Sequence, residues 1–170
     1  MPDYRIERLK KHHVRAGFSC GSPPLDRYIQ QQARQDQTRG AAVVYVLCPV
    51  ENDQVAGFFT LSACSIEATG LQPDHARRLP RYPLLPAILL GRLAVDLRFQ
   101  GQRLGVAVLG EALTTSLSVS DRIDAVAVIV DAKDDESLRF YEKHGFIPFL
   151  NDDRRLYLPI DTLAKGVLLV

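Results

Sequence analysis

The sequence predicts an α/β protein in which one mixed β-sheet is flanked by helices. Three observations carry this expectation. The runs AILLGRLAV (87–95) and AVAVIV (125–130) are almost wholly apolar, as in strands buried on both faces. Between them lies Leu104–Ser118, where Leu104, Ala107, Val108, Glu111 and Leu113 recur at helical spacing. Elsewhere, alternating or β-branched runs are separated by turn residues, so that helices and strands interleave along the chain.

Taken in order, YRIERL (Tyr4–Leu9) alternates in type and predicts a first strand. Phe18–Pro24 reads as a loop. Leu25–Asp36 predicts a helix with Leu25, Tyr28, Ile29 and Ala33 on one face, and Pro24 suits its first turn. Ala42–Cys48 and Val55–Ile66 predict a hairpin around the turn residues Glu51–Gln54. Residues 69–86 hold Pro73, Pro80, Pro83 and Pro86 and predict a loop with one helical turn at Asp74–Leu79. After the first buried strand, Arg98–Arg103 forms a short loop into the long helix. Asp135–His144 predicts a short helix closed by Gly145, the expected residue just past a helix end. Phe146–Leu150 and Leu156–Pro159 predict two final strands around a polar turn at 151–155.

The 170 residues suit one domain, 1–170, with enough chain to bury a core. Hydrophobic residues make up 46% and charged residues 24%, which excludes a disordered or collagen-like chain. No apolar run reaches the ~18 residues of a membrane span, and the charged start MPDYRIERLKKHH has no apolar signal core. Cys20, Cys48 and Cys64 lack CxxC spacing, which argues against a disulfide framework or a zinc site. They read as small hydrophobes in a reducing cytosol, and a cytoplasmic location without a metal is expected. His12 and His13 read as exposed. The net charge of +1 averages unlike blocks: residues 77–103 hold six Arg against Asp96, whereas 41–76 hold four acids and no Lys or Arg. Such blocks can build a basic face on a nearly neutral protein.

Two motifs carry chemistry. In LAVDLRFQGQRLGVA (93–107), a buried strand hands over to a helix through a glycine-containing loop. The first amides of a helix lack intrahelical partners and its dipole is positive there, so anions bind. Gly101 and Gly105 let backbone approach a phosphate, and Arg98 and Arg103 add charge. The plain alternative is a β–α turn that happens to contain glycine. The second motif, SLRFYEKHGF (137–146), places Phe140 and Tyr141 one helix before a Gly-Phe strand start. Tyr141 is either a core aromatic or a hydroxyl aimed at the open end of the sheet.

Together these motifs resemble the GNAT superfamily of acetyl-CoA-dependent N-acetyltransferases. The resemblance implies that Gln102, Arg103, Leu104, Gly105, Val106 and Ala107 cradle the CoA pyrophosphate. It implies that Leu93, Ala94 and Val95 pair with the pantetheine arm where two central strands splay, and that Tyr141 protonates the departing thiolate. Many relatives carry Asn where this chain has Asp134, so no side-chain role is assigned there. The segments FSCGSPPLDRYIQQQARQD, GFFTLSA, LPRYPLLPAILLGRLAVD and VDAKDDESLRFYEKHGF further resemble the GNAT toxins of bacterial toxin–antitoxin systems. That resemblance implies acetylation of the α-amino group of an aminoacyl-tRNA, a small ribbon-helix-helix antitoxin as partner, and a homodimer as a common assembly.

On this reading Arg77, Arg78 and Arg92, with Arg81 and with Arg27, Arg34 and Arg39 of the first helix, are candidate tRNA contacts. Arg92 interrupts a buried strand and needs a partner or an open cleft. Glu67, Asp74, His75 and Asp96 are base candidates by region only, the alternative for each being a solvated surface group. Two other functions stay open: a GNAT enzyme for a small amine or a protein N-terminus, and a binding module without turnover.

Overall fold

The computed structural model describes residues 3–166. Its elements are β1 (Tyr4–Arg8), α1 (Pro23–Arg27), a π turn (Tyr28–Gln32), α2 (Ala33–Thr38), β2 (Val43–Pro49) and β3 (Gly57–Ile66). After a 3-10 turn at Ala68–Gly70 come α3 (Pro73–Ala76), β4 (Leu85–Val95), a second 3-10 turn (Leu97–Phe99) and α4 (Leu104–Ser120). Then follow β5 (Ala127–Asp131), α5 (Asp135–Lys143), β6 (Ile147–Phe149), β7 (Asp152–Pro159) and α6 (Ile160–Ala164). The strands form a seven-stranded mixed sheet in the order β1-β2-β3-β4-β5-β7-β6. The expected element order holds throughout. The last strand starts earlier than expected, at Asp152, and α6 was not anticipated.

The chain divides into two compact units. One comprises Met1–Ser62 and Arg92–Ala112, the other Ala63–Gly91 and Leu113–Val170. In the first, β1 and β2 pair antiparallel from Tyr4↔Pro49 to Arg8↔Tyr45, and β2 continues onto β3. Its core holds Phe18, Tyr28, Ile29, Ala33, Val44, Val46, Phe58 and Ala94. Three residues of the apolar face read from the sequence, Tyr28, Ile29 and Ala33, are thus buried, although the helix is not regular. Within it the Ala33 amide reaches back five residues to the Tyr28 carbonyl. In α4, by contrast, the buried residues are Leu104, Val108, Leu109, Ala112, Leu113, Ser116 and Ser120, and Glu111 is exposed. Gly57 is fixed by close approach, since a Cβ there would lie 3.1 Å from both the Ala94 carbonyl oxygen and Val108.

In the second unit β4 and β5 run parallel, and their pairing covers Ile88↔Val128 and Leu89↔Ile129. Beyond Ile129 the β5 register continues on β7 as far as Asp131↔Arg155, but not on β4. Ile66, Leu71, Leu85, Ala87, Ile129, Phe149 and Tyr157 form the core on one face. Helix α5 starts on a capping box: Asp134 accepts from the Ser137 amide at 2.8 Å, while the Ser137 hydroxyl faces the Asp134 amide. This gives Asp134 a structural role that the sequence left open.

Two polar side chains expected at the surface are buried. Asp96 is 1% exposed and accepts from Ser19 N, Arg98 N, Arg98 Nε and Arg98 Nη2 at 2.8–3.1 Å. Burial pushes its carboxyl up, but the Arg98 side chain and the two amides outweigh that and hold it below its ordinary value. The sign then follows: the stabilisation is full above the ordinary carboxylate pKa and is lost as pH falls through the lowered one. Asp96→Ala is expected to cost about 2–3 kcal/mol at pH 7, discounted because Arg98 is half-exposed. Urea denaturation at pH 7 and pH 3 checks this, with the gap between wild type and variant narrowing at the lower pH.

His13 is 4% exposed, contrary to expectation. Its Nδ1 accepts from the Lys10 amide at 2.8 Å, so in the neutral ring Nε2 carries the hydrogen and donates to Glu7 at 2.7 Å. That hydrogen bond is the main reason the Glu7 carboxyl sits below its ordinary value.

Candidate active site

The cofactor half of the candidate site is built in the first unit. At the end of β4, Ala94 and Val95 are buried and Leu93 is half-buried. The chain then leaves the sheet on fixed contacts: Asp96 N donates to Ala56 O and Leu97 N to Ser19 O, each at 2.8 Å. Gln100 Nε2 returns to the Val95 carbonyl at 3.0 Å. Gly101 (φ 84°) and Arg103 (φ 57°) both take the left-handed conformation, ordinary for glycine and strained for arginine. Successive amides turned this way form an anion-binding concavity. The first turn of α4 adds the Leu104, Gly105 and Val106 amides, whose intrahelical acceptors do not exist. A Cβ on Gly105 would meet nothing within 4 Å, so open space lies above the helix start, where an anion needs it. These residues fit a pyrophosphate.

The surrounding side chains refine the sequence reading. Gln102 is held by the Tyr4 hydroxyl, which donates to its Oε1 at 3.1 Å, and Tyr4 packs edge-on against Phe99. Arg98 does not supply a free charge, because its guanidinium is bound to Asp96. Arg103 is exposed. Arg92 meets the requirement for a partner: its guanidinium lies 3.6 Å from the centre of the buried Tyr28 ring. Burial, with the nearby Asp36 carboxylate, raises the Tyr28 phenol to about 12. The sequence showed Arg92 as anomalous but not Tyr28 as its platform.

Tyr141 stands in the second unit, on α5, 8% exposed and edge-on to Phe140 and Phe146, each at 5.4 Å. Burial pushes its phenol well above the ordinary value, so the hydroxyl stays protonated at neutral pH. Of the loop arginines, Arg77, Arg78 and Arg81 are all exposed. Arg77 pairs with Asp74, and Arg78 with Asp161 at 3.4 Å.

The four base candidates differ. Glu67 and Asp74 are exposed, and Asp96 is committed to Arg98. His75 Nδ1 lies 2.7 Å from the Tyr157 hydroxyl, which itself accepts from the Gln72 amide. Cys48 is pushed up to about 11 by burial, and burial also raises Cys64, so neither thiol is nucleophilic at neutral pH. Glu7, His12 and His13 lie close enough together to suggest metal ligands. The His13 Nε2 hydrogen is directed at Glu7, however, and Arg5 already pairs with Glu7 and Asp53. The group reads as an ion-pair network.

Residues 6–146 match the Acetyltransferase (GNAT) family. A tRNA-acetylating toxin of Mycobacterium tuberculosis is 36% identical over 129 residues, which cover 76% of this chain and 75% of the relative. The structure of AtaT complexed with acetyl-methionyl-tRNAfMet superimposes with a TM-score of 0.88 at 26% identity, covering 96% of this chain and 99% of that one. That of AtaTR bound with AcCoA gives 0.80, also at 26% identity, covering 96% and 98%. With a family match spanning most of the sequence and a relative 36% identical over three quarters of it, this chain belongs to the GNAT acetyltransferase family.

Proposed function

We propose that this chain, acting as one domain, transfers the acetyl group of acetyl-CoA to the α-amino group of an aminoacyl-tRNA and so blocks translation. The observation that carries this is the 36% identity to a tRNA-acetylating toxin. The exposed arginines 77, 78 and 81 support it by offering charge to tRNA phosphates. A small ribbon-helix-helix antitoxin is the proposed partner and the cytoplasm the proposed location. No helix among the described residues is long and apolar enough to cross a membrane.

The chemistry assigns each group a task. Amides from Gly101 to Val106 hold the pyrophosphate, and Leu93, Ala94 and Val95 line the pantetheine arm. An α-amine beside an ester is neutral enough at cytosolic pH to attack without a strong base, since free α-amines already titrate near 8. Its nitrogen bonds to the thioester carbon, and backbone amides near Leu93–Val95 stabilise the oxyanion. As the C–S bond breaks, Tyr141 gives its proton to sulfur and regains one from the acetylated nitrogen. The return is needed because a phenol held above its ordinary value is a weaker acid than the thiol it creates.

Incubation with labelled acetyl-CoA and total charged tRNA tests the assignment. Label on the aminoacyl group is expected; label confined to small amines or protein N-termini overturns it. Charge reversal at Arg77 and Arg78 is expected to lower tRNA acetylation about tenfold or more at physiological salt. Acetyl-CoA binding, followed by calorimetry, should be unchanged.

A further inference from the structure

Tyr4 opens β1, opposite Pro49 of β2, and stands 98 positions before Gln102 of the anion cradle. The fold brings the two side chains together within the first unit. The Tyr4 hydroxyl donates to Gln102 Oε1 at 3.1 Å, and its ring is edge-on to Phe99, with centroids 6.3 Å apart. Phe99 ends the 3-10 turn that leads out of β4. Gln102 lies between Gly101 and Arg103, the two residues of the loop that take the left-handed conformation. Beside Tyr4 the sheet and α4 do not close on each other. A cavity of about 330 Å³ has Tyr4, Ile6 and Leu47 among its lining residues from the sheet, and Leu104, Ala107 and Glu111 from α4. Among the described residues, β1 makes its hydrogen bond to the loop through the Tyr4 hydroxyl.

A primary carboxamide has two unlike ends toward an anion. Its oxygen repels phosphate oxygens, and its two N–H groups donate to them. An exposed glutamine such as Gln102 rotates between these ends, and ordering it when a ligand binds costs conformational entropy. In this loop the oxygen is already taken by the Tyr4 proton. Nε2 makes no hydrogen bond to any described residue and keeps both hydrogens for a ligand. We infer that Tyr4 is a positioning residue for acetyl-CoA, holding the Gln102 carboxamide so that its N–H groups, and not its oxygen, are offered to the pyrophosphate. The gain is preorganisation: the side chain is ordered before the cofactor arrives. The inference rests on the assignment of this cradle to acetyl-CoA and is independent of which amine accepts the acetyl group.

The test measures, by calorimetry, the affinities of acetyl-CoA and of S-acetylpantetheine, which lacks the pyrophosphate and the nucleotide. The proteins compared are the wild type, Tyr4→Phe, Gln102→Ala and the double variant. Tyr4→Phe keeps the ring against Phe99 and removes the hydroxyl, and is expected to bind acetyl-CoA about three- to tenfold more weakly, the scale of one hydrogen bond. Gln102→Ala is expected to lose at least as much. The double variant should lose no more than Gln102→Ala, because the hydroxyl acts through that side chain. S-acetylpantetheine should bind all four proteins alike, and the melting temperature of Tyr4→Phe should stay close to that of the wild type. Unchanged acetyl-CoA affinity in Tyr4→Phe, additive losses in the double variant, or an equal loss for S-acetylpantetheine overturns the inference. Failure of the cradle assignment is distinguishable, because Gln102→Ala and Gly105→Val would then both leave acetyl-CoA affinity unchanged. A loss in Gly105→Val with none in Tyr4→Phe keeps the cradle and removes Tyr4 from it.

Discussion

Tyr141→Phe is expected to lower turnover about 10²–10⁴-fold, the usual contribution of a general acid. The substitution removes one oxygen from a ring that is already held by Phe140 and Phe146, so packing is preserved. Acetyl-CoA affinity and thermal stability should stay close to wild type, because no hydrogen bond among the described residues depends on this hydroxyl. The loss therefore falls on kcat. Steady-state kinetics with calorimetry separates the cases: a drop confined to KM, or no drop, removes Tyr141 from the proton path. Raising the pH should not rescue the variant, since the missing group is a proton donor that stays protonated throughout the neutral range.

Gly105→Val is expected to weaken acetyl-CoA binding about ten- to hundredfold, the range for losing one or two hydrogen bonds to a charged group. The space above Gly105 is empty of protein, so valine meets no obstacle in the free enzyme. It would instead occupy the volume the pyrophosphate requires. Glycine is also a poorer helix residue than valine by a few tenths of a kcal/mol, so the free fold should gain slightly in stability. Opposite signs for melting temperature and cofactor affinity distinguish this from misfolding. Calorimetry showing unchanged affinity would mean that the phosphates lie elsewhere.

The parts of the molecule legible in the sequence are those in which a local pattern has one outcome. The apolar runs around Leu90 and Val128 read as buried strands and are β4 and β5, and Gly145 at φ 92° closes α5 as its position implied. The phosphate loop was readable because its glycines and the helix start are contiguous. What escaped the sequence depends on groups distant along the chain. Nothing near His13 announces that Glu7 and the Lys10 amide will take both its nitrogens and bury it. Asp96 looked like a solvated acid until Ser19 was brought to it across 77 positions.

The π turn at Tyr28–Gln32 means that the first helix carries one residue more than its two ends require. An α-helix that lost Gln31 or Gln32, both exposed, would still present an aromatic at 28 and an apolar residue toward Ala33. That turn is therefore the place in the helix where its length can change by one without turning the Arg92 platform away from its cation. Related chains that differ by a single residue in this helix should be aligned with the gap there, so that the aromatic beneath the arginine stays in register.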